Sequence, residues 1–353
     1  MIKIYPDSIT YIACPANAAT GGPESLHQLG YHLRNDLNIE AFMYYFDFDS
    51  RNFKNPIHPE FEFYNLPYEL KIPEEKDNPK NVLIVPEVQK SLFLLHKYKH
   101  IRKAVWFLSV DNYYLSKVTR KDHLAFIIKN PRVNLDILDI TSQEMIKQTM
   151  LKYGYKKDPL LNSVEFFLFQ SNYALHHFKD LRPNYYLSSY LNKSFFEERT
   201  DLSRKENIVA YNPKKGFRFT RKIISSAKDI KFVPLINMSR KEIIQTLQRT
   251  KVYIDFGNHP GKDRLPREAA ILGCCIITGT RGSSGFFEDV PIPEQYKFED
   301  KKESIPKIVK KIKDCLENFE NRYKDFEYYR QVIINEPQKF GEDLKKIFVK
   351  VEQ

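Results

Sequence analysis

The chain is poor in the features that would take it out of the ordinary globular class. Its four cysteines, Cys14, Cys274, Cys275 and Cys315, show no paired spacing and two of them are adjacent. This argues against a disulfide framework or a zinc site and fits a reducing, cytoplasmic setting. The apolar runs around Val105 and Ile276 fall far short of the ~20 residues that a membrane span requires. The N-terminal stretch Met1–Ile9 already carries Asp7 and leads into a strand-like segment, so no signal peptide is expected. Internal repeats and low-complexity tracts are lacking. So are zinc-finger spacing, a basic region with heptads and an RNP-like aromatic strand, which leaves a nucleic-acid partner supported by charge alone.

What remains is globular. Hydrophobic residues make up 42% and charged residues 29% of 353 positions, enough for two cores of ordinary domain size. The net charge of +11, from 56 Lys plus Arg against 45 Asp plus Glu, points to an anionic partner such as a phosphorylated ligand or an acidic membrane face. Lys301 to Lys313 reads chiefly as the solvated face of a helix.

Short β-branched or aromatic runs alternate with helix-period stretches along most of the chain. Strands are expected at Ile9–Cys14, Ala41–Phe46, Val82–Val85, Ala104–Val110 and Val164–Phe169, and again at Ile208–Tyr211, Lys231–Val233, Val252–Asp255 and Cys275–Thr278. Such alternation predicts an α/β fold with parallel sheets covered on both faces. The rhythm pauses between Tyr185 and Glu206, where an interdomain linker is placed. A proline-rich stretch, Asp49 to Pro79, reads as a functional loop or a surface excursion. A last helix is expected over about Lys339 to Lys350, with Phe340, Leu344, Ile347 and Phe348 on one stripe.

Several residues carry potential chemistry. After the first strand, ATGGPESLHQLG (Ala19–Gly30) places Gly21 and Gly22 before Pro23 at a helix start, where free N–H groups meet an anion; a plain strand–helix turn also uses glycine. Glu24, His27 and Gln28 follow in the first turns, with His27 open to either a ligand or a structural role. Glu87 and Asp111 stand at two expected strand ends, where open parallel sheets bind ligands; Asp111 serves there as a base or sugar-hydroxyl partner, or else caps the next turn. In the second half, YNPKKG (Tyr211–Gly216) offers Lys214 and Lys215 for a diphosphate, with Arg218 and Arg221 close behind. Within DRLPREAAILGCCIITG (Asp263–Gly279), Pro266 is expected to open a helix with Glu268 in its first turn, suited to two ribose hydroxyls or simply to the helix dipole. The loop Thr280–Val290 brings Gly282, Ser283, Ser284 and Gly285, whose N–H groups suit phosphate.

The order of phosphate lysine, acid-bearing helix, G-x-x-I-I strand and Gly-rich loop resembles the C-terminal domain of GT-B glycosyltransferases of the family 4 type. LPREAAILGCCIITG is similar to that family's helix and strand, and ATGGPESLHQLG resembles the glycine loop that opens bacterial surface-polysaccharide glycosyltransferases. The resemblance implies that Glu268 binds the nucleotide ribose and that Lys215 steadies the leaving diphosphate; with Asp111, taken from its strand-end position, they make the expected catalytic set. Three departures stand out: Pro260, beside His259, replaces the first acid of the family's E-x7-E pair; Ala210 replaces the usual arginine, a role open to Arg218 or Arg221; and Ser109, Val110 and Asp111 stand where many relatives place a histidine after the fourth strand.

The resemblance further implies two Rossmann-like domains across a cleft: residues 1–190 on the acceptor side, 191–333 holding the nucleotide sugar, and 334–353 returning as a helix to the first. The implied reaction is retaining transfer from a UDP- or GDP-sugar to a glycan or lipid-linked acceptor, with no metal or other cofactor. The basic surface would rest on an anionic inner-membrane face. A sugar-nucleotide 2-epimerase and a non-catalytic subunit of a polysaccharide-assembly complex are the alternatives on the same fold.

Overall fold

The computed structural model describes residues 1–129, 138–197 and 200–351. The chain divides into two compact units: Met1–Thr119 with Ile146–Ser189 and Pro337–Gln353, and Arg120–Met145 with Tyr190–Glu336.

The first unit contains β1 (Ile2–Ile4), β2 (Thr10–Pro15), β3 (Ala41–Phe46), β4 (Tyr68–Glu69), β5 (Val82–Pro86), β6 (Arg102–Phe107), β7 (Phe166–Phe169) and β8 (Asn184–Tyr186). Strands β2 to β8 form one sheet in the order β4-β3-β2-β5-β6-β7-β8, with every neighbouring pair parallel. The central strands read as unbroken apolar runs because both faces are covered: all five residues of β5 are buried, as are Lys103 to Phe107 of β6. Their register runs from Val82 opposite Arg102 to Pro86 opposite Trp106, so the two strands finish level.

The second unit contains β9 (Glu206–Tyr211), β10 (Lys231–Pro234), β11 (Thr250–Asp255) and β12 (Cys275–Thr278), in the parallel order β10-β9-β11-β12. Helices Phe217–Ser226, Arg240–Arg249 and Arg264–Ile271 make the three crossovers. The middle one opens with a complete capping box between Ser239 and Glu242, which contributes about 1 kcal/mol. Lys205 is buried and its Nζ donates to the carbonyls of Leu247 (2.9 Å), Thr250 (2.8 Å) and Leu272 (2.6 Å). A single ammonium thereby ties together carbonyls at the ends of two crossover helices, two of which also accept from Cys274 Sγ. Burial holds the pKa of Lys205 below its ordinary value.

The C-terminus departs from the sequence expectation. Helix Glu327–Ile347 begins earlier than predicted and stops at Ile347; β13 (Phe348–Lys350) then pairs in parallel with β1, Ile2 opposite Phe348. A β-branched and an aromatic residue continue the helical apolar stripe, and only pairing with the distant N-terminus shows that they leave it. The Asp49 to Pro79 stretch is built of short 3₁₀ turns and β4. Its turn Pro59–Tyr64 packs against helix Gly21–Asn35, with the Phe61 and His27 rings 4.7 Å apart.

Candidate functional site

In each of the two larger sheets the strand order turns back on itself at one point, and ligands of open α/β sheets bind beyond the carboxyl ends of the strands flanking that point. In the four-stranded sheet the reversal lies between β9 and β11; in the seven-stranded sheet it lies between β2 and β5.

Beyond β9 and β11 the loops touch through glycine. Gly216 ends the β9 loop with φ +59°, and a Cβ there would lie 1.4 Å from the Phe256 carbonyl oxygen. Gly257, with φ +150°, faces it from the β11 loop, where a Cβ would come within 2.8 Å of the Gly216 nitrogen. This close approach carries Lys215 onto the start of helix Arg264–Ile271: its Nζ pairs with Asp263 Oδ2 at 2.6 Å. Asp263 also lies 3.3 Å from His259 Nδ1, and His259 Nε2 lies 3.6 Å from Asp255 Oδ1. The other Asp255 oxygen accepts from the Tyr253 hydroxyl at 2.7 Å. Both His259 and Asp255 are buried. Burial disfavours charge on His259, yet Asp255 and Asp263 outweigh it and raise its pKa above the ordinary imidazole value. Burial also opposes charge on Asp255, but His259, Lys215 and Tyr253 hold its pKa below the usual carboxylate range.

The third loop joins from β12. A Cβ on Gly282 (φ +67°) would lie 2.1 Å from the His259 carbonyl oxygen. The Ser283 N–H donates to that same oxygen at 2.8 Å, and Ser283 Oγ donates to the Gly261 carbonyl at 2.6 Å. Ser284 Oγ donates to the Arg281 carbonyl at 2.8 Å. Ser283 to Gly285 form a short 3₁₀ turn.

Helix Arg264–Ile271 starts two residues before Pro266. The proline sits at the third helical position, where its missing N–H is still one of the unpaired first four. Glu268 therefore lies one turn in, beyond the first turn expected from sequence. It is buried, and its Oε1 accepts from Arg264 Nε at 3.1 Å. The helix is pinned from behind by Glu336, which pairs with Arg267 (2.9 Å) and Lys262 (2.8 Å). Lys214 donates its N–H to Asn212 Oδ1 at 3.0 Å, and Arg218 and Arg221 lie exposed on helix Phe217–Ser226. Ala210 is wholly buried in β9, so no side chain there reaches a ligand. Sequence reasoning overlooked Asp255 and Asp263. The signal was their four-residue spacing about His259, hidden because Gly257 and Pro260 rule out a helix across it.

At the other reversal, the loop after β2 leads to helix Gly21–Asn35, where Gly21 and Gly22 are the first residues and Pro23 the third. A Cβ on Gly22 would meet only Leu108 Cδ1, at 3.5 Å, so sterics there do not require glycine. Glu24 is buried in the first turn. Glu87 follows β5, and its Oε2 accepts from the Leu108 N–H at 2.9 Å, tying the end of β5 to that of β6. Asp111 is displaced from its predicted position. Strand β6 stops at Phe107, Ser109 caps helix Val110–Leu115 by accepting from the Asn112 N–H at 3.1 Å, and Asp111 sits buried in that helix's first turn. His27 is a satisfied core residue: Nδ1 lies 2.7 Å from the Pro23 carbonyl oxygen and Nε2 lies 2.7 Å from the Tyr45 hydroxyl.

Two buried groups of this unit titrate in opposition. Burial raises the Glu87 carboxyl to about 7 and lowers His27 to about 4. Glu87 binds its proton more tightly in the fold than in the unfolded chain, so its contribution to stability is lost as pH rises from about 4.5 to 7. His27 resists protonation in the fold, so its contribution is lost as pH falls from about 6.5 to 4. Each amounts to about 3 kcal/mol, and the two largely cancel. Glu87→Gln is expected to expose the His27 slope, with Tm falling by roughly 5–10 °C on acidification across this window. His27→Gln is expected to slope the other way. Tm against pH for the three proteins tests this, and parallel profiles would refute it.

No protein-family model and no curated protein match the sequence. Solved structures match over nearly the whole chain. Anabaena Alr3699/HepE, in complex with UDP, superposes with a TM-score of 0.60 at 10% identity, covering 96% of this chain and 100% of its own. A glycosyltransferase from Rickettsia africae ESF-5 gives 0.56 at 13% identity, covering 97% and 100%. A trehalose-6-phosphate structure from E. coli, bound with UDP-2-fluoro glucose, gives 0.54 at 9% identity, covering 96% and 98%. The chain has the GT-B fold of these proteins, with parallel, Rossmann-like sheets. Among the described residues no helix is long and apolar enough to cross a membrane.

Proposed function

We propose that the chain is a glycosyltransferase that takes a sugar from a UDP- or GDP-sugar and passes it to a glycan or lipid-linked acceptor in bacterial surface-polysaccharide synthesis. The observation that carries this reading is the gathering of Lys215, the Gly282–Gly285 loop and the Glu268 helix at the reversal point of the four-stranded sheet. The reading draws further support from HepE, solved with UDP-glucose, and from the E. coli protein's UDP-2-fluoro glucose.

In this reading the donor diphosphate meets Lys215 and the N–H groups of the glycine-rich loop, with Arg218 and Arg221 on the neighbouring helix. Charge that builds on the departing phosphate is stabilised by groups already in place, the largest single source of acceleration in reactions of this kind. Glu268, held by Arg264, accepts from two ribose hydroxyls, which a carboxylate suits. The acceptor lies with the other unit, near Gly21, Gly22, Glu24 and Glu87, where Asp111 orients a hydroxyl. Transfer proceeds with retention and without a metal, and the basic surface favours an anionic membrane face.

A thermal-shift screen against UDP, GDP, CDP and dTDP and their sugars tests the donor site. One nucleotide family is expected to stabilise the wild type, by about 3 kcal/mol at a hundredfold excess over Kd, and to lose that effect in Glu268→Ala. Product NMR from the active pair then reads the anomeric configuration. No shift with any nucleotide at millimolar concentration would overturn the proposal.

A further inference from the structure

In the structure Lys215 is engaged with Asp263, and a lysine that must grip a diphosphate cannot leave that largely buried carboxylate uncompensated without a desolvation cost. Four charged groups form one line: Lys215, Asp263, His259 and Asp255, with successive separations of 2.6, 3.3 and 3.6 Å. If His259 carries a proton, two cations face two anions. If it does not, Lys215 at the end of the line is the one cation left for two carboxylates, and Asp263 beside it holds it.

We infer that His259 is a positioning residue for donor binding: as a buried imidazolium between Asp255 and Asp263 it takes over the balancing of Asp263, releasing the Lys215 ammonium to a nucleoside diphosphate. This rests on the donor-site reading above. His259 stands beside Pro260, where the resemblance leads one to expect an acid, so the departure from the family pattern acquires a use. The imidazole is well placed for it. It is wholly buried and immobilised through its backbone, with its N–H donating to the Arg281 carbonyl at 3.2 Å and its own carbonyl accepting from Ser283 at 2.8 Å.

The groups facing His259 come from every element packed on it. They are Asp255 and Tyr253 of β11, Asp263 at the start of helix Arg264–Ile271, and Lys215 from the β9 loop. The Arg281 side chain of the β12 loop is engaged by Asp300. Neutral His259 leaves Lys215 as the sole counter-charge of Asp263. Affinity for a diphosphate is therefore highest while the imidazole is charged and falls as pH rises past the ordinary imidazole range. Burial alone would discharge His259, whereas its two carboxylates keep the charged form into that range.

The test is calorimetric titration of the wild type, His259→Asn, Asp263→Asn and the double variant with UDP-glucose and with GDP-mannose, between pH 6.5 and 9. These sugar diphosphates lack a phosphate ionisation in that span, and the uracil N3–H and guanine N1–H begin to ionise only near its upper end, so the protein sets the pH dependence below that end. The wild type is expected to lose about tenfold in affinity across the range. His259→Asn should bind about tenfold more weakly at pH 7, with a flat profile. The double variant, which removes the carboxylate that holds Lys215, should recover wild-type affinity. Should His259→Asn fail to fold, Asp263→Asn stands in, expected to bind at least as tightly as wild type with a shallower pH dependence.

A flat wild-type profile, with His259→Asn binding as tightly, overturns the inference and leaves the donor site standing. A double variant no better than His259→Asn also overturns it, since that is the pattern of a purely structural histidine. Failure of the wild type to bind either nucleotide sugar removes the donor-site reading, and the inference with it.

Discussion

Lys215→Ala is expected to lower kcat for sugar transfer by about 10²- to 10³-fold, the scale seen when one preorganised charge donor is removed from a developing anion. Stability should change little. The ammonium is about one-third exposed, and Asp263 keeps His259 at 3.3 Å when its lysine is gone. A surface or half-exposed ion pair contributes at most about 1 kcal/mol, so the Tm should move by only a few degrees. Lys215→Arg retains the charge in a planar fork that does not match the geometry of a point charge, and should restore only part of the rate. Steady-state kinetics on the three proteins, each with its Tm, makes the check. A kcat for Lys215→Ala within threefold of wild type would remove the lysine from the mechanism.

The second large effect is expected from a single methyl group. Gly216→Ala places a Cβ 1.4 Å from the Phe256 carbonyl oxygen and 2.2 Å from its carbon, inside any non-bonded distance. The obstacle is backbone on both sides, so no side-chain rotation relieves it. The alanine must also hold φ near +59°, a left-handed conformation that costs about 1–2 kcal/mol for a residue with a Cβ. Forcing apart two packed loops adds about 1–3 kcal/mol. The variant should therefore lose about 3 kcal/mol or more, roughly 6–12 °C in Tm, and with it the geometry that brings Lys215 to Asp263. Gly22→Ala is the matched control: its Cβ would make an ordinary contact with Leu108, and a helical alanine is favoured over glycine. Equal melting temperatures for the two variants would show that the β9 and β11 loops are not locked together in this way.

Much of this molecule was legible without coordinates, for reasons tied to particular segments. VLIVP and CIIT are short apolar runs between turn signals, and burial on both faces of a parallel sheet is what such runs require. Local periodicity thus indicates the fold class, most strand positions and the loops that carry the proposed donor-site residues. Lys215, Gly216 and the Ser283–Gly285 turn were all found at strand-to-helix connections, because chemistry in such sheets collects at strand ends.

The tertiary structure decided what depends on contacts between distant segments. That Phe348–Lys350 is a strand follows from its partner at Ile2–Ile4, and nothing in its own composition separates it from the helix before it. Leu108 and Val110 extend the apolar run of β6 and so place Asp111 at a strand end; the Ser109 cap, which accepts from the N–H three residues on, turns the chain into a helix first. Whether His27 was a ligand or a core residue rested on Tyr45, 18 positions away, and Tyr45 settled it as core. The line of Asp255, His259 and Asp263 was equally out of reach. Residues four apart lie close together in a helix, and here Gly257 and Pro260 break the helix while the loop, folded against Gly216 and Gly282, restores the proximity. A sequence specifies its elements by local preference, whereas the charge balance of a buried cluster is a property of the space the elements enclose.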